Sequence, residues 1–237
     1  NYGWESIFYS QLLFGIVVLC WFWKRQPETL PPAYKKKFSM AIFINGSKEF
    51  IKYRSAVIFT LISGLATGSF MVFLSTSQHI FEVQYGLVDQ FPYIFGALAF
   101  SVGVATFTNG TLVVRFGMKK LVTIFSIVFS LTSLLYISIF YGETNPSISI
   151  LILFLALQFF SVGFLFGNVR SLAMQPLGHI AGIGAAINGF ISTIMAVPIA
   201  TFIGSFVETT ALPLFIGFAA CGLGSLLLLL FVKKPIY

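Results

Sequence analysis

Apolar residues in this chain neither alternate as in a half-buried strand nor recur every third or fourth position as in a surface helix. They run in blocks of about twenty, separated by short clusters of charged, proline and small polar residues. Seven blocks reach the length needed to cross a hydrocarbon core of ~30 Å: roughly Ser6–Trp23, Ala56–Ser77, Phe91–Val113, Leu121–Phe140, Ile148–Asn168, Ile180–Phe206 and Ala211–Val232. The alternating segments of about ten residues that mark a membrane barrel are absent, so helices must satisfy the backbone in lipid. The pattern predicts an all-α integral membrane protein with seven transmembrane helices.

The charges are sorted with equal regularity. Of the 14 basic residues, Lys24, Arg25, Lys35, Lys36, Lys37, Lys48, Lys52 and Arg54 lie between the first two blocks. Arg115, Lys119 and Lys120 lie between the third and fourth, Arg170 follows the fifth, and Lys233 and Lys234 follow the seventh. These are alternate connections, so all lie on one side, and the positive-inside rule makes that side cytoplasmic. The other side carries Glu5, Glu82, Asp89, Glu143 and Glu208 and no Lys or Arg. The expected topology has the N-terminus outside and the C-terminus inside. The net charge of +7 is therefore a topology signal, and nucleic acid is not an expected partner.

Composition narrows the classes further. Charged residues make up 9% against roughly 25% in a soluble domain, and the mean hydropathy is +0.94. Too few charges are present to cover a water-facing surface, so the lipid bilayer is the expected surroundings. The 29 Phe and 21 Gly fit lipid-facing bulk combined with close helix contacts. Cys20 and Cys221 lie in apolar blocks without metal or redox spacing and are expected to be free, buried thiols. Catalytic constellations, metal-ligand clusters and phosphate loops are absent, so no enzyme activity, cofactor or metal is expected. A chain that starts at Asn1, without a signal peptide and with an odd number of spans, reads as a fragment.

Between the first two blocks, Pro27-Glu28-Thr29-Leu30-Pro31-Pro32 cannot continue a helix. Beyond it Phe38, Ile42, Phe43, Phe50 and Ile51 alternate with lysines. Two readings stand: an amphipathic helix on the inner membrane face, or a solvated basic loop that only fixes topology. Gly64 with Gly68, and Gly163 with Gly167, place pairs of glycines on one helix face, where backbones can approach closely. Pro198 removes a backbone donor from the sixth block and can kink it.

The sharpest local motif is Gly110-Thr-Leu-Val-Val-Arg115-Phe-Gly117-Met-Lys119-Lys120, in a short connection where Gly117 permits a tight turn. It resembles the Gly-x-x-x-Asp-Arg-x-Gly-Arg-Lys loop of the major facilitator superfamily, with Val114 in place of the acid. That departure is similar to the family's degraded second copy, between helices eight and nine. The resemblance implies that the chain is helix six (1–23), a basic central loop with an amphipathic helix (24–55) and the six-helix C-terminal bundle (56–237) of a twelve-helix transporter. Within the superfamily the chain resembles the Bcr/CflA drug:proton antiporters through Gly3-Trp4-Glu5-Ser6-Ile7-Phe8, Pro27-Glu28-Thr29-Leu30, Val83-Gln84-Tyr85-Gly86-Leu87 and Ala173-Met174-Gln175-Pro176-Leu177-Gly178-His179-Ile180-Ala181-Gly182.

The spans contain no ionisable side chain away from their ends; His179 and Arg170 sit near a boundary. Uncharged polar groups are better placed. The resemblance assigns the second, fifth and sixth spans to the central cavity, so Ser63, Thr67, Phe70, Gln158, Phe159, Asn188 and Ser192 are the candidate substrate-binding residues. Phe160 belongs to the same aromatic set. Gly110, Arg115, Gly117 and Lys119 are the candidate conformational loop motif. The expected function is alternating-access efflux of drugs or other small amphipathic compounds in exchange for protons, with the protonation site in the missing N-terminal half. The alternatives are a transporter of a siderophore, sugar or amino-acid derivative, a seven-helix receptor, or a non-transporting membrane subunit. The resemblance implies a multi-pass protein of the bacterial inner membrane.

Overall fold

A computed structural model describes residue 3 and residues 5–28, 39–142 and 144–232. The chain divides into two units, residues 1–40 and 41–237. The first holds helix α1, Glu5–Arg25, with an acid in its first turn and Lys24 and Arg25 in its last, the arrangement that complements the helix dipole. Cys20 is exposed on this helix and free. That departs from the burial expected of both thiols: no described residue of α1 is buried. Cys221, in the second unit, is buried and free.

The second unit comprises α2 (Met40–Lys52), α3 (Arg54–Gln78), α4 (Phe91–Phe116), α5 (Met118–Phe140), α6 (Ile148–Met174), α7 (Ala181–Gly204) and α8 (Leu212–Leu230). A π-helical turn, His79–Gln84, extends α3, and a 3-10 turn, Gln175–Ile180, joins α6 to α7. No strand occurs among the described residues. The run Ile148–Gly204 is 57 residues long; as one straight helix it would reach ~85 Å, nearly three bilayer cores. Non-helical backbone at Leu177 (φ −109°, ψ 17°) breaks it, so α6 and α7 are separate crossings. With α1, α3, α4, α5 and α8 they form the seven apolar helices the pattern predicts.

Several helices outrun the apolar blocks that announced them. Arg170, expected to follow the fifth span, lies inside α6 with its guanidinium 5.8 Å from the Phe166 ring. A helix can continue past the apolar stretch because a long basic side chain carries its charge to the interface.

Helix pairing within the bundle is set by small residues and has an internal order. Parallel helices α3 and α7 pack most closely: a Cβ at Gly64 would lie 2.6 Å from Met195, and one at Gly68 would lie 2.9 Å from Ile199. Parallel α4 and α6 pack likewise, where a Cβ at Gly163 would meet Ala105 at 2.6 Å and the Val102 carbonyl at 2.8 Å. Gly167 has open space beside it, so of that glycine pair only Gly163 marks a crossing. Helix α5 packs on α6 and α8, and α3 packs on α6 and α8. Exchanging α3, α4, α5 for α6, α7, α8 turns α3·α7 into α6·α4 and α5·α6 into α8·α3, while α5·α8 and α3·α6 map onto themselves. The bundle is therefore two three-helix repeats packed alike, an organisation found in transporters.

The principal core is aromatic. Tyr136 stacks on Phe215 with ring centroids 3.6 Å apart, and Phe129, Phe154 and Phe218 surround them. A smaller core, Phe50, Ala56 and Leu177, holds α2 against the α6–α7 corner.

Candidate functional site

The predicted aromatic residues Phe70 and Phe159 meet edge to face, with ring centroids 5.8 Å apart. Around them Phe73 packs 4.6 Å from Phe159 and 6.0 Å from Phe95, and Phe166 lies 5.5 Å from Phe70. Phe70, Phe73, Phe95 and Phe159, with Leu98 and Val102, line a cleft of about 40 Å³ between α3, α4 and α6. Phe159 is 2% exposed, whereas Phe70 is half-buried, so Phe70 forms the rim and Phe159 the floor. Phe160 does not join them. It turns instead to Phe125 and Phe164. Phe73 and Phe95 lie outside the predicted set, although Phe73 follows Phe70 by three residues and so shares its face.

The polar candidates lie in helix interfaces. Asn188 on α7 donates through Nδ2 to Thr60 Oγ1 on α3 at 2.8 Å. Ser192, one turn on, and Thr67 on α3 each have a buried hydroxyl oxygen without a hydrogen-bond partner. Ser63 is 3% exposed. Gln158 is fully buried and donates through Nε2 to Ser133 Oγ at 2.6 Å and to the Phe129 carbonyl at 3.2 Å, both on α5. Its Oε1 has no partner. The seven predicted binding residues therefore form no single cluster: Phe70 and Phe159 pair in the cleft, Asn188 ties α7 to Thr60 of α3, Gln158 lies on the α5–α6 seam, and Ser63 and Thr67 on α3 and Ser192 on α7 are separate buried hydroxyls.

A second amide pair lies outside the predicted set. Asn168 Nδ2 donates to Asn109 Oδ1 at 2.6 Å and to the Phe164 carbonyl at 2.9 Å, tying α6 to α4. The signal was available: an amide within an apolar block must find a partner, as for Gln158 and Asn188. Also on this interface, Ser101 donates to the Ala156 carbonyl at 2.9 Å.

A larger cavity, about 550 Å³, lies between α3, α7 and α8, lined by Leu65, Ile199, Phe202, Ile203, Ile216 and Cys221 among others. It contains none of the predicted residues, and its almost wholly apolar lining provides little to orient a polar ligand.

The loop motif forms the α4–α5 corner. Gly117 adopts φ 78° and ψ 151°, ending α4 and starting α5. Arg115 and Lys120 flank the Phe116 ring at 5.3 and 5.2 Å, each a cation–π contact. Lys119 Nζ donates to the Val232 carbonyl at 3.4 Å, just beyond the end of α8, where a cation complements the dipole. Gly110 lies within α4 with open space beside it.

At the opposite end the stretch Val83–Leu87 acquires its meaning. Gln84 Nε2 donates to the Glu208 carbonyl and Oε1 accepts from Asn145, whose Oδ1 in turn accepts from the Ala211 backbone N–H. Tyr85 donates to the Pro146 carbonyl at 2.8 Å, and Gly86 turns the chain at φ 68°. His79 also bonds the Glu208 carbonyl, at 2.8 Å. These bonds join the end of α3 to the α5–α6 and α7–α8 connections.

Comparison with known proteins agrees with this architecture. The family model for the Major Facilitator Superfamily matches residues 1–200. The chain is 24% identical over 230 residues to YdgK, an uncharacterized MFS-type transporter of Bacillus subtilis (strain 168); the match covers 94% of this chain and 55% of that protein. The chain thus spans about half the length of this relative. No solved structure matches. Seven apolar helices, a bundle of two like-packed triplets and a family match over most of the chain lead to one assignment: this multi-pass membrane protein belongs to the major facilitator superfamily.

Proposed function

We propose that this chain supplies helices six to twelve of a Bcr/CflA-type transporter that expels amphipathic compounds in exchange for protons. The observation that carries this reading is the aromatic cleft of Phe70, Phe73, Phe95 and Phe159 between α3, α4 and α6. Aromatic faces hold flat, hydrophobic or cationic molecules without demanding one hydrogen-bond pattern, which suits a polyspecific site. At about 40 Å³ the cleft accommodates only part of a drug-sized molecule, so an opposing wall from helices one to five completes it. The spans here offer no acid or base away from their ends, so the protonation site belongs to that other half. The basic connections face the cytoplasm, and rocking of one half against the other alternates access.

The test uses the complete transporter carrying Phe70→Ala or Phe159→Ala, with expression and proton-driven efflux of several unrelated compounds measured side by side. Normal expression with unequal changes between aromatic cations and other compounds supports a polyspecific cleft. Uniform loss with poor expression would reassign both rings to packing. Unchanged efflux of every compound would remove them from the site, and export confined to one sugar or siderophore class would overturn the drug-efflux reading.

A further inference from the structure

Helix α2 carries three distinct stripes. One holds Gly46 and Phe50, four residues apart. Phe50 is 1% exposed against Leu177, and a Cβ at Gly46 would lie 2.6 Å from Ile183. That stripe docks on the α6–α7 corner. A second presents Ile44 and Ile51, seven residues apart and exposed by 46% and 71%. A third, between them, holds Asn45, Lys48 and Lys52 at i, i+3 and i+7.

Glu49 is the one acid of this helix, and it does not join the outward charge. Its carboxylate meets His179 Nε2 at 2.6 Å, in the 3-10 turn between α6 and α7, beside the Tyr53 ring. The acid is thus engaged on the docked side, leaving the outward polar edge with lysines alone. An apolar stripe next to a basic stripe, on a helix fixed to a membrane-spanning bundle, is complementary to an interface with acyl chains below and anionic headgroups above.

We propose that the Ile44–Ile51 and Lys48–Lys52 faces of α2 form a binding surface for the anionic phospholipids of the surrounding leaflet, with docking at the α6–α7 corner setting the helix's rotation. The proposal concerns the bilayer and is independent of the cargo.

The test uses the full chain in nanodiscs with Cys20 replaced by Ser and a fluorophore attached at Ile44→Cys or Asn45→Cys. Quenching by brominated phosphatidylglycerol is compared with quenching by brominated phosphatidylcholine. At position 44 the label should be shielded from aqueous iodide and quenched preferentially by phosphatidylglycerol, while at 45 iodide should reach it. Lys48→Gln and Lys52→Gln should each reduce the phosphatidylglycerol preference by about fivefold, the equivalent of ~1 kcal/mol per lysine near an anionic surface. If either lysine variant folds poorly, raising salt on the parent protein supplies the same readout, because screening weakens the preference. Equal quenching by both lipids, a preference insensitive to the lysines and to salt, or iodide access at position 44 would overturn the proposal.

Discussion

At Gly117 the backbone holds φ 78° and ψ 151°, a region reached easily only without a Cβ. Nothing lies within 4 Å of where that Cβ would be, so any cost of Gly117→Ala is conformational and not steric. We expect a loss of roughly 1–3 kcal/mol in thermal or denaturant stability. Gly110→Ala, equally uncrowded but inside α4, should be neutral or stabilising by up to ~1 kcal/mol. A matching loss at both would show that the strain at Gly117 is not the cause. Gln158 follows different logic. Its Oε1 is already unpaired, and Ser133 keeps its own bond to the Phe129 carbonyl at 2.8 Å. An apolar replacement of similar size therefore removes an unsatisfied atom along with two hydrogen bonds. Gln158→Leu should change stability by less than about 1.5 kcal/mol, whereas Gln158→Ala should cost more by opening a cavity.

Tyr85 joins residue to element. Burial pushes its phenol up to about 12, so its bond to Pro146 is kept by a neutral hydroxyl over the physiological range. Because the folded value is raised above the ordinary 10, the stabilisation is complete below pH ~10 and disappears as pH climbs through ~12. The difference in tyrosinate absorbance between the parent and Tyr85→Phe should titrate near 12; a midpoint near 10 would show the hydroxyl to be freely solvated. Helix crossings depend on how each glycine is met. At Gly163 the obstruction includes the Val102 backbone carbonyl at 2.8 Å, which cannot rotate away. Gly163→Ala should push α4 from α6 and cost roughly 1–3 kcal/mol, while Gly167→Ala, with open space around it, should leave stability almost unchanged. Purified variants compared by thermal aggregation would separate the two, and equal effects would refute the crossing.

For the whole molecule, segregation of Lys and Arg onto alternate connections predicts opposite labelling. In Cys20→Ser background, Lys36→Cys and Glu143→Cys should react with a membrane-impermeant maleimide from different sides of oriented vesicles. Reaction from one side would refute the topology proposed from charge. Transport needs both walls of an alternating-access cavity, so this chain reconstituted alone should carry no gradient-driven drug flux above that of empty vesicles; such flux would overturn the half-transporter reading.

The fold was legible because lipid imposes a strong rule on a one-dimensional string. An apolar block of about twenty residues must be a helix. The seven apolar helices, the break before α7, the tight turn at Gly117 and the need of Gln158 and Asn188 for partners all followed from local chemistry. What the string could not state was which helix faces which. Every span is apolar on nearly all sides, so no hydrophobic stripe points to a neighbour. Only the packed bundle showed Asn188 paired across to Thr60, Gln158 turned to α5, Phe73 and Phe95 completing the cleft, and Phe160 turned away from it. Side-chain identity determined that these groups must be satisfied; rotation and pairing of the helices, decided by small residues spread over the whole chain, determined where.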